Sequence, residues 1–526
     1  MTDHHATPAS PTRASSDPFM DPAAPDASGD GDIDFARDTT LVVGKDASLT
    51  LGTESLIVLD DDIQKDGKTS CCALCRPGSS NTRAIPFYNV LWAETSDSLL
   101  TISFASPISK TAVRPEFLTY PLPLDPEPAR IWIAKLLDRA YGESQKRKRA
   151  KVLLNPHAGK GSAVKWWIRD IEPILRAAHV ELDVHTTSSQ GEAVTIAEKL
   201  DIEAFDMVVS CSGDGLPHEV FNGLGKRPDA RRALAKIAVV QMPCGSGNAM
   251  SCNLTGSASP SLAALATVKG VVTPLDLISI TQGSTRTLSF LSQSVGIVAE
   301  SDLATENIRW MGQARFTYGF LTRLLKKRIY PCDLAVKVVI EDKAAIREHY
   351  RRESERRGTL GERRGNKDEN DDDSAASTSA ANEEGLPTLR YGTVNDKLPS
   401  DWVNVPYDTL GNFYCGNMSY MAADANFFPA TLPSDGLMDL VCIDGRIART
   451  AAVDLMLAVE NNKFFDKPLV SYRKVLGYRI VPREQESGYI SIDGERVPFE
   501  PFQAEIHRGL GTVLSCSGWK YEAQGP

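Results

Sequence analysis

Hydrophobic positions are sparse over residues 1–40, where Ser, Pro, Asp and Ala dominate, so this stretch is expected to be disordered. From Thr40 to about Pro123, short β-type runs (TLVVG, SLTLG, SLIVLD, NVLWAE, LLTISFA) alternate with turn residues. The amphipathic segment RIWIAKLLDRAYG follows as a helix. Residues 41–143 are therefore expected to form a small β-rich region of pleckstrin-homology-like type.

The rhythm then changes. Strand KVLLN precedes a helix from Val164 to Ala178, VELDV a helix through Leu200, DMVVS a helix to Leu224, and KIAVVQ a further Gly-rich loop. Strands separated by helices predict a parallel sheet covered by helices, here an α/β domain over 146–275. Loops at the carboxyl ends of such strands are where ligands bind. After Thr273 the segments are β-type again (LDLISI, LSFLSQSVGIVA, LAVKVVIE, LMDLVCIDG, YISIDG), which predicts a second domain over 276–526, an antiparallel β-sandwich. A charged low-complexity stretch, 347–386, is expected to be a disordered insertion in it.

Composition narrows the function. A chain of 526 residues, 42% hydrophobic, has material for more than one core. Its net charge of -10 argues against a nucleic-acid binder, which needs an excess of Lys and Arg on some face. The N-terminus has no apolar signal core, and no window reaches the roughly 18 apolar residues of a membrane span. Ten cysteines without a dense framework suit a reducing compartment, and SCCALC lacks the fourth ligand of a zinc site, so no metal ligand is assigned. The expected setting is cytoplasmic.

Three Gly-rich loops end or follow β-type runs: NPHAGKGS (155–162), SGDGLPHE (212–219) and PCGSGNAMS (243–251). Glycines admit backbone N–H groups close to an anion, and a following helix N-terminus adds its dipole. Three such loops on one sheet edge suggest a polyphosphate cradle. The first is not a P-loop, because Leu154 and Gly161 stand where Gly and Ser or Thr are required.

Taken together, NPHAGKG, SGDGLPHEVFNGL, MPCGSGNAMS, SVGIVAESDLATENIRWMGQARFTYG, SDGLMDLVCIDG and SIDGE resemble the diacylglycerol-kinase catalytic family. Within it, SGDG at Ser212–Gly215 is similar to the sphingosine kinases, where related kinases show GGDG. The resemblance implies an ATP- and Mg2+-dependent lipid kinase with Asp214 as catalytic base. It also implies nucleotide contacts at Asn155, Gly159, Lys160, Gly161, Ser162, Thr187, Ser212, Gly213, Gly215, Gly245, Ser246, Gly247, Asn248, Arg309, Arg315, Asp493, Gly494 and Glu495. Asp302, with Glu306, matches the acid that meets the ammonium of a sphingoid base. Family members often have His before Ala after Thr187, where this chain has Glu192, and His157 receives no role. Glu219 reads as a brace for its loop, a member of the magnesium network or a buried structural carboxylate, and Asp435 as part of a structural network before a magnesium one.

The implied partners are a sphingoid base lipid and a membrane surface, with no nucleic acid. Cys71, Cys72 and Cys75 could carry S-acyl groups, and LTRLLKKRIY (321–330) could touch anionic lipid. KRKRAK (146–151), placed directly before a strand, reads as structural. The alternatives are a diacylglycerol or ceramide kinase and a non-catalytic membrane scaffold.

Overall fold

The computed structural model describes residues 39–44, 47–60, 82–122, 125–159, 161–303, 328–365, 384–485 and 487–526, without the side chains of 302, 357 and 359–365. Seven strands come first: β1 (Thr40–Val43), β2 (Ala47–Leu51), β3 (Ser55–Asp60), β4 (Thr82–Pro86), β5 (Val90–Ser96), β6 (Leu99–Ser109) and β7 (Ala112–Pro121). They form antiparallel sheets β1-β2-β3-β4 and β5-β6-β7, followed by helix α1 (Glu127–Tyr141). The polar TRAIP and AVRPEFLTYP, which carry β4 and β7, supply two strands beyond the apolar runs.

Strands β8 (Arg149–Leu154), β9 (Glu181–Thr186), β10 (Met207–Ser212) and β11 (Ala238–Pro243) pair in parallel in the order β11-β10-β8-β9. Both β10 and β11 are buried at every position, as their unbroken apolar runs require of strands covered on two faces. The connecting helices include α2 (Glu192–Glu198), α3 (Gly215–Gly225), α4 (Ala230–Lys236), α5 (Ala249–Thr255) and α6 (Pro260–Lys269).

The later half contains β12 (Val271–Gln282), β13 (Thr285–Ser289), β14 (Ser292–Gly296), α7 (Ile297–Leu303), β15 (Cys332–Ile340), α8 (Lys343–Gly365), β16 (Val403–Tyr407) and β17 (Leu410–Gly416). A short hairpin, β18 (Tyr420–Ala422) with β19 (Ala425–Asn426), precedes β20 (Met438–Asp444), α9 (Arg449–Glu460), β21 (Ser471–Pro482), β22 (Ile490–Ile492), β23 (Glu495–Val497) and β24 (Phe502–Ser515). These strands do not form a sheet of their own. The 14-residue β24 pairs antiparallel with β12 and β21, then parallel with β11 at Val513 opposite Val239, so one mixed 15-stranded sheet runs through both halves.

The stretch expected to be disordered from Arg347 is helical as far as Gly365. Arg351 pairs with Glu348 and Glu355 at i,i+3 and i,i+4 spacing, which offsets the lack of an apolar stripe. Residues 366–383 lie outside the described residues.

The N-terminal sheets share one hydrophobic cluster with the α/β part, in which Leu91, Trp132 and Leu136 meet Val152, Ile171 and Val268. Two buried lysines pin that junction. Lys148, from the KRKRAK run, donates to Ser144 Oγ and the Gln145 and Val268 carbonyls, and burial pulls it down to about 8. Lys269 reaches the Val90 and Ala140 carbonyls and lies 4.0 Å from the Tyr141 ring; burial, with the charge of Lys148, brings it to about 7.

A third buried lysine organises the antiparallel half. Lys474 Nζ donates to Ala430 O at 2.7 Å, Asp435 Oδ2 at 3.1 Å and Asp439 Oδ2 at 2.8 Å, using all three ammonium hydrogens. Burial opposes ionisation of both carboxyls. At Asp435 the Lys474 charge and the His349 contact overcome it and hold the group below its ordinary value, whereas at Asp439 burial wins and raises it. Asp435 is thereby committed to this network.

Lys474→Met should cost about 3–5 kcal/mol, because it strands two buried carboxylates without their cation. Urea denaturation followed by tryptophan fluorescence checks this; a shift within about 0.5 kcal/mol, as at an ordinary surface position, would show the network to be dispensable.

Candidate functional site

The loops after β8, β10 and β11 meet backbone to backbone. A Cβ on Gly245 would lie 2.2 Å from Gly213 Cα, and one on Gly213 would lie 2.8 Å from Gly247 O. Gly159, at φ +60°, sets its Cα against Cys244 O, which a Cβ would approach to 2.9 Å. Side chains at these places would force the loops apart, so glycine is a packing requirement as well as an opening for a ligand.

Asp214 sits directly before α3 but makes no side-chain cap to its own helix. Its carboxylate turns to α5, accepting Ala249 N–H at 3.0 Å on Oδ2 and Met250 N–H at 3.1 Å on Oδ1. Gln241 Nε2 donates to Oδ1 at 3.1 Å, and its Oε1 in turn accepts Ser251 N–H at 2.8 Å. The second loop's acid is thus held by the third loop's helix. Burial raises the Asp214 carboxyl above its ordinary value, against the Met250, Ala249 and Gln241 donors, which pull it down. The residue is only half-buried, because one side faces a cavity.

That cavity has a volume of about 630 Å³. Asn155, Gly159, Ser212, Gly213, Asp214, Gly215, Gly245, Ser246, Gly247, Asp493, Gly494 and Glu495 line one end, bringing most of the anticipated residues together. His157, exposed, also borders it. Four anticipated residues, Gly161, Ser162, Thr187 and Asn248, are not among its lining. Thr187 is buried with its hydroxyl 3.4 Å from Leu154 O, and Asn248 folds its amide back onto the Gly245 N–H and C=O. Lys160, Glu306, Arg309, Arg315, Cys71, Cys72 and Cys75, and residues 321–327, lie outside the described residues. Asp302 belongs to α7, whose Ile297, Val298 and Ser301 line the cavity.

Asp493 occupies the turn between β22 and β23 at φ +52°. Its Oδ1 accepts Ser289 Oγ and the Leu291 and Ser292 N–H groups, and its Oδ2 accepts Phe290 N–H. His218 Nδ1 lies 2.8 Å from Oδ2 and is the donor, since a carboxylate only accepts. Burial lowers the His218 imidazole, yet its bond to Asp493 and that charge outweigh burial and raise it. With five donors on two oxygens, Asp493 acts as an anchor for its hairpin rather than as a cation ligand. The hairpin brings Glu495 beside the start of α3, where a Cβ on Gly215 would lie 3.0 Å from Glu495 Oε1.

Glu219 accepts Ala193 N–H at 3.2 Å and so ties α3 to α2. Glu192 closes the β9–α2 loop by accepting Ser188 N–H and Oγ and His185 Nε2; the Ser188 amide and then His185 hold its carboxyl down at about 2.

The opposite end of the cavity is apolar, with Tyr414, Phe427, Leu455, Met456, Val459 and Phe464 in its wall. None of these residues falls in a motif that the sequence singles out. Their signal is the i, i+3, i+4, i+7 spacing of Ala452, Leu455, Met456 and Val459 along α9. Phosphate-sized anions suit the glycine end and an alkyl chain suits the other.

The chain matches a domain of unknown function (DUF7493) over residues 39–142 and the diacylglycerol kinase catalytic domain over residues 149–280. Sphingoid long chain base kinase 5 of Saccharomyces cerevisiae is 36% identical over 428 residues, 73% of this chain; the match spans 62% of that protein, less than two thirds of its length. Sphingoid long chain base kinase 4 of Schizosaccharomyces pombe is 35% identical over 435 residues, 82% of this chain and 88% of that protein. Sphingosine kinase 1 of Homo sapiens is 26% identical over 395 residues, 72% of this chain and 95% of that protein. The chain belongs to the sphingoid long chain base kinase family, and its residues 149–280 match the diacylglycerol kinase catalytic domain.

Proposed function

We propose that this chain transfers the γ-phosphate of ATP to the primary hydroxyl of a sphingoid long-chain base, giving the base 1-phosphate. The observation that carries the reading is one cavity with a glycine-loop end around Asp214 and an apolar end against α9. Asp214 accepts the hydroxyl proton as that oxygen bonds to the γ-phosphorus and the bond to the β-phosphate oxygen breaks, releasing ADP. Its raised carboxyl suits the task, since a stronger base takes the proton more readily.

Gly159, Gly213 and Gly247 leave their backbone open to phosphate oxygens, with Asn155, Ser212 and Ser246 beside them. Lys160, Arg309 and Arg315 complete the phosphate contacts in this reading. Magnesium bound with ATP would neutralise phosphate charge, and Glu495, in the cavity lining, is the carboxylate that would hold it, because Asp493 is occupied by its five donors. Asp302, with Glu306, takes the substrate ammonium, a role that the position of α7 along the cavity supports. The protein meets its lipid at a bilayer surface, with Cys71, Cys72 and Cys75 as acylation sites.

Replacing Asp214 by Asn should lower kcat by about 10²–10⁴ with little change in KM for ATP, as removal of a general base does. An unchanged kcat would take the base role from Asp214. The carboxyl must be ionised to accept a proton, and burial makes it hold its own proton to higher pH. The acid limb of the wild-type kcat/KM profile should therefore lie above about pH 3.9, the ordinary aspartate value, and a limb below it would contradict the assignment. Leu455→Trp fills the apolar end and should raise KM for an 18-carbon base about tenfold or more, the equivalent of two methylene contacts at about 0.8 kcal/mol each. KM for ATP should stay constant; a parallel rise in both constants would place the alkyl chain elsewhere.

A further inference from the structure

A second cavity, of about 1190 Å³, shares no lining residue with the first. It lies between α4, the Glu505–Leu510 segment of β24 and the stretch 387–391. Arg231, Arg232, Lys236, Arg390 and Arg508 line it, against two carboxylates, Glu505 and Asp435. Both carboxylates are engaged within the fold. Glu505 accepts the Arg390 and Tyr391 N–H groups at 2.8 and 2.9 Å, and lies 3.6 Å from His507 Nε2. Asp435 accepts Lys474, His349 and Leu437 N–H. Outside the cavity, Glu203 pairs with Arg232 and Lys236.

The wall behind these groups is cationic too. Arg286 Nη2 lies 3.3 Å from His507 Nε2, which is 2.9 Å from Ser279 Oγ. Burial, then the Arg286 and Arg231 charges, push the His507 imidazole down to about 4, so it stays neutral at physiological pH and offsets no anion there. The remaining lining includes Val339, Leu437, Leu476, Ile506 and Leu510. A cavity with an arginine rim and an aliphatic wall matches a small anion that carries an apolar tail.

We propose that this cavity binds a single-chain lipid phosphate, its phosphate monoester held by Arg231, Arg390 and Arg508 and its chain laid against Leu437, Leu476 and Ile506. The phosphate end alone could equally come from free inorganic phosphate, and the probes separate the two sources.

Decyl phosphate, inorganic phosphate and decyltrimethylammonium are titrated into the full chain by calorimetry. The partners are the double variant Arg390→Glu with Arg508→Glu, at two exposed positions, and the single variant Leu455→Trp, which narrows the catalytic cavity instead. Decyl phosphate should show a binding event in both wild type and Leu455→Trp that is about tenfold or more tighter than that of inorganic phosphate, and this event should weaken about tenfold or more in the double variant. Decyltrimethylammonium should gain nothing from the cationic rim, and its affinity should not fall in the double variant. Equal binding of inorganic and decyl phosphate, both lost in the double variant, would overturn the proposal in favour of a plain phosphate site. Decyl phosphate binding that survives the double variant but falls in Leu455→Trp would overturn it in favour of the catalytic cavity.

Discussion

Contact between the backbones of Gly213 and Gly245 is the constraint on which the rest of the site depends. It brings the loop after β10 against the loop after β11 so closely that α5 offers its first N–H groups to the Asp214 carboxylate. Without that approach the acid would have to cap its own helix or face water. With it, the acid is fixed in direction, sheltered enough for its proton affinity to rise, and open on one side to the cavity. Gly159 extends the arrangement to the loop after β8 through the Cys244 carbonyl.

The second consequence of the architecture is that the glycine-loop end and the apolar end belong to one space. This follows from β24, which crosses from the antiparallel strands to β11 and makes a single sheet of the two halves. The hairpin of β22 and β23 reaches the start of α3 because Asp493 is tied to the Ser289–Ser292 backbone and to His218. Interior cations carry similar burdens elsewhere: Lys474 holds two carboxylates in the antiparallel half, Lys269 of α6 reaches Val90 of β5 and Ala140 of α1, and Lys148 ties the chain before β8 to Val268 of α6.

The glycine loops and Asp214 were legible in the sequence, since close backbone approach admits only glycine and leaves a mark at each position. The parallel strands were legible because burial on two faces requires unbroken apolar runs, as in β10 and β11. The union of the two sheets was not, because strand partners distant in sequence leave no local pattern; Val239 and Val513 read as ordinary strand valines. Asp493 could be singled out by its DG turn, but not its saturation by donors from a segment some 200 residues earlier. The wall on α9 showed helical spacing that would suit any buried face. The charge-rich start of α8 looked unstructured because its stabilising ion pairs replace an apolar stripe.

The proposed function requires one cavity to join ATP to an acceptor chosen for both an alkyl chain and a cationic head group. Its most direct test is transfer of labelled phosphate from ATP, with magnesium, to sphingosine, ceramide, diacylglycerol and NAD offered in parallel to the purified chain. Transfer to sphingosine alone is the expected outcome. Transfer to diacylglycerol or ceramide, which carry no ammonium, would contradict it, as would the absence of transfer to any acceptor.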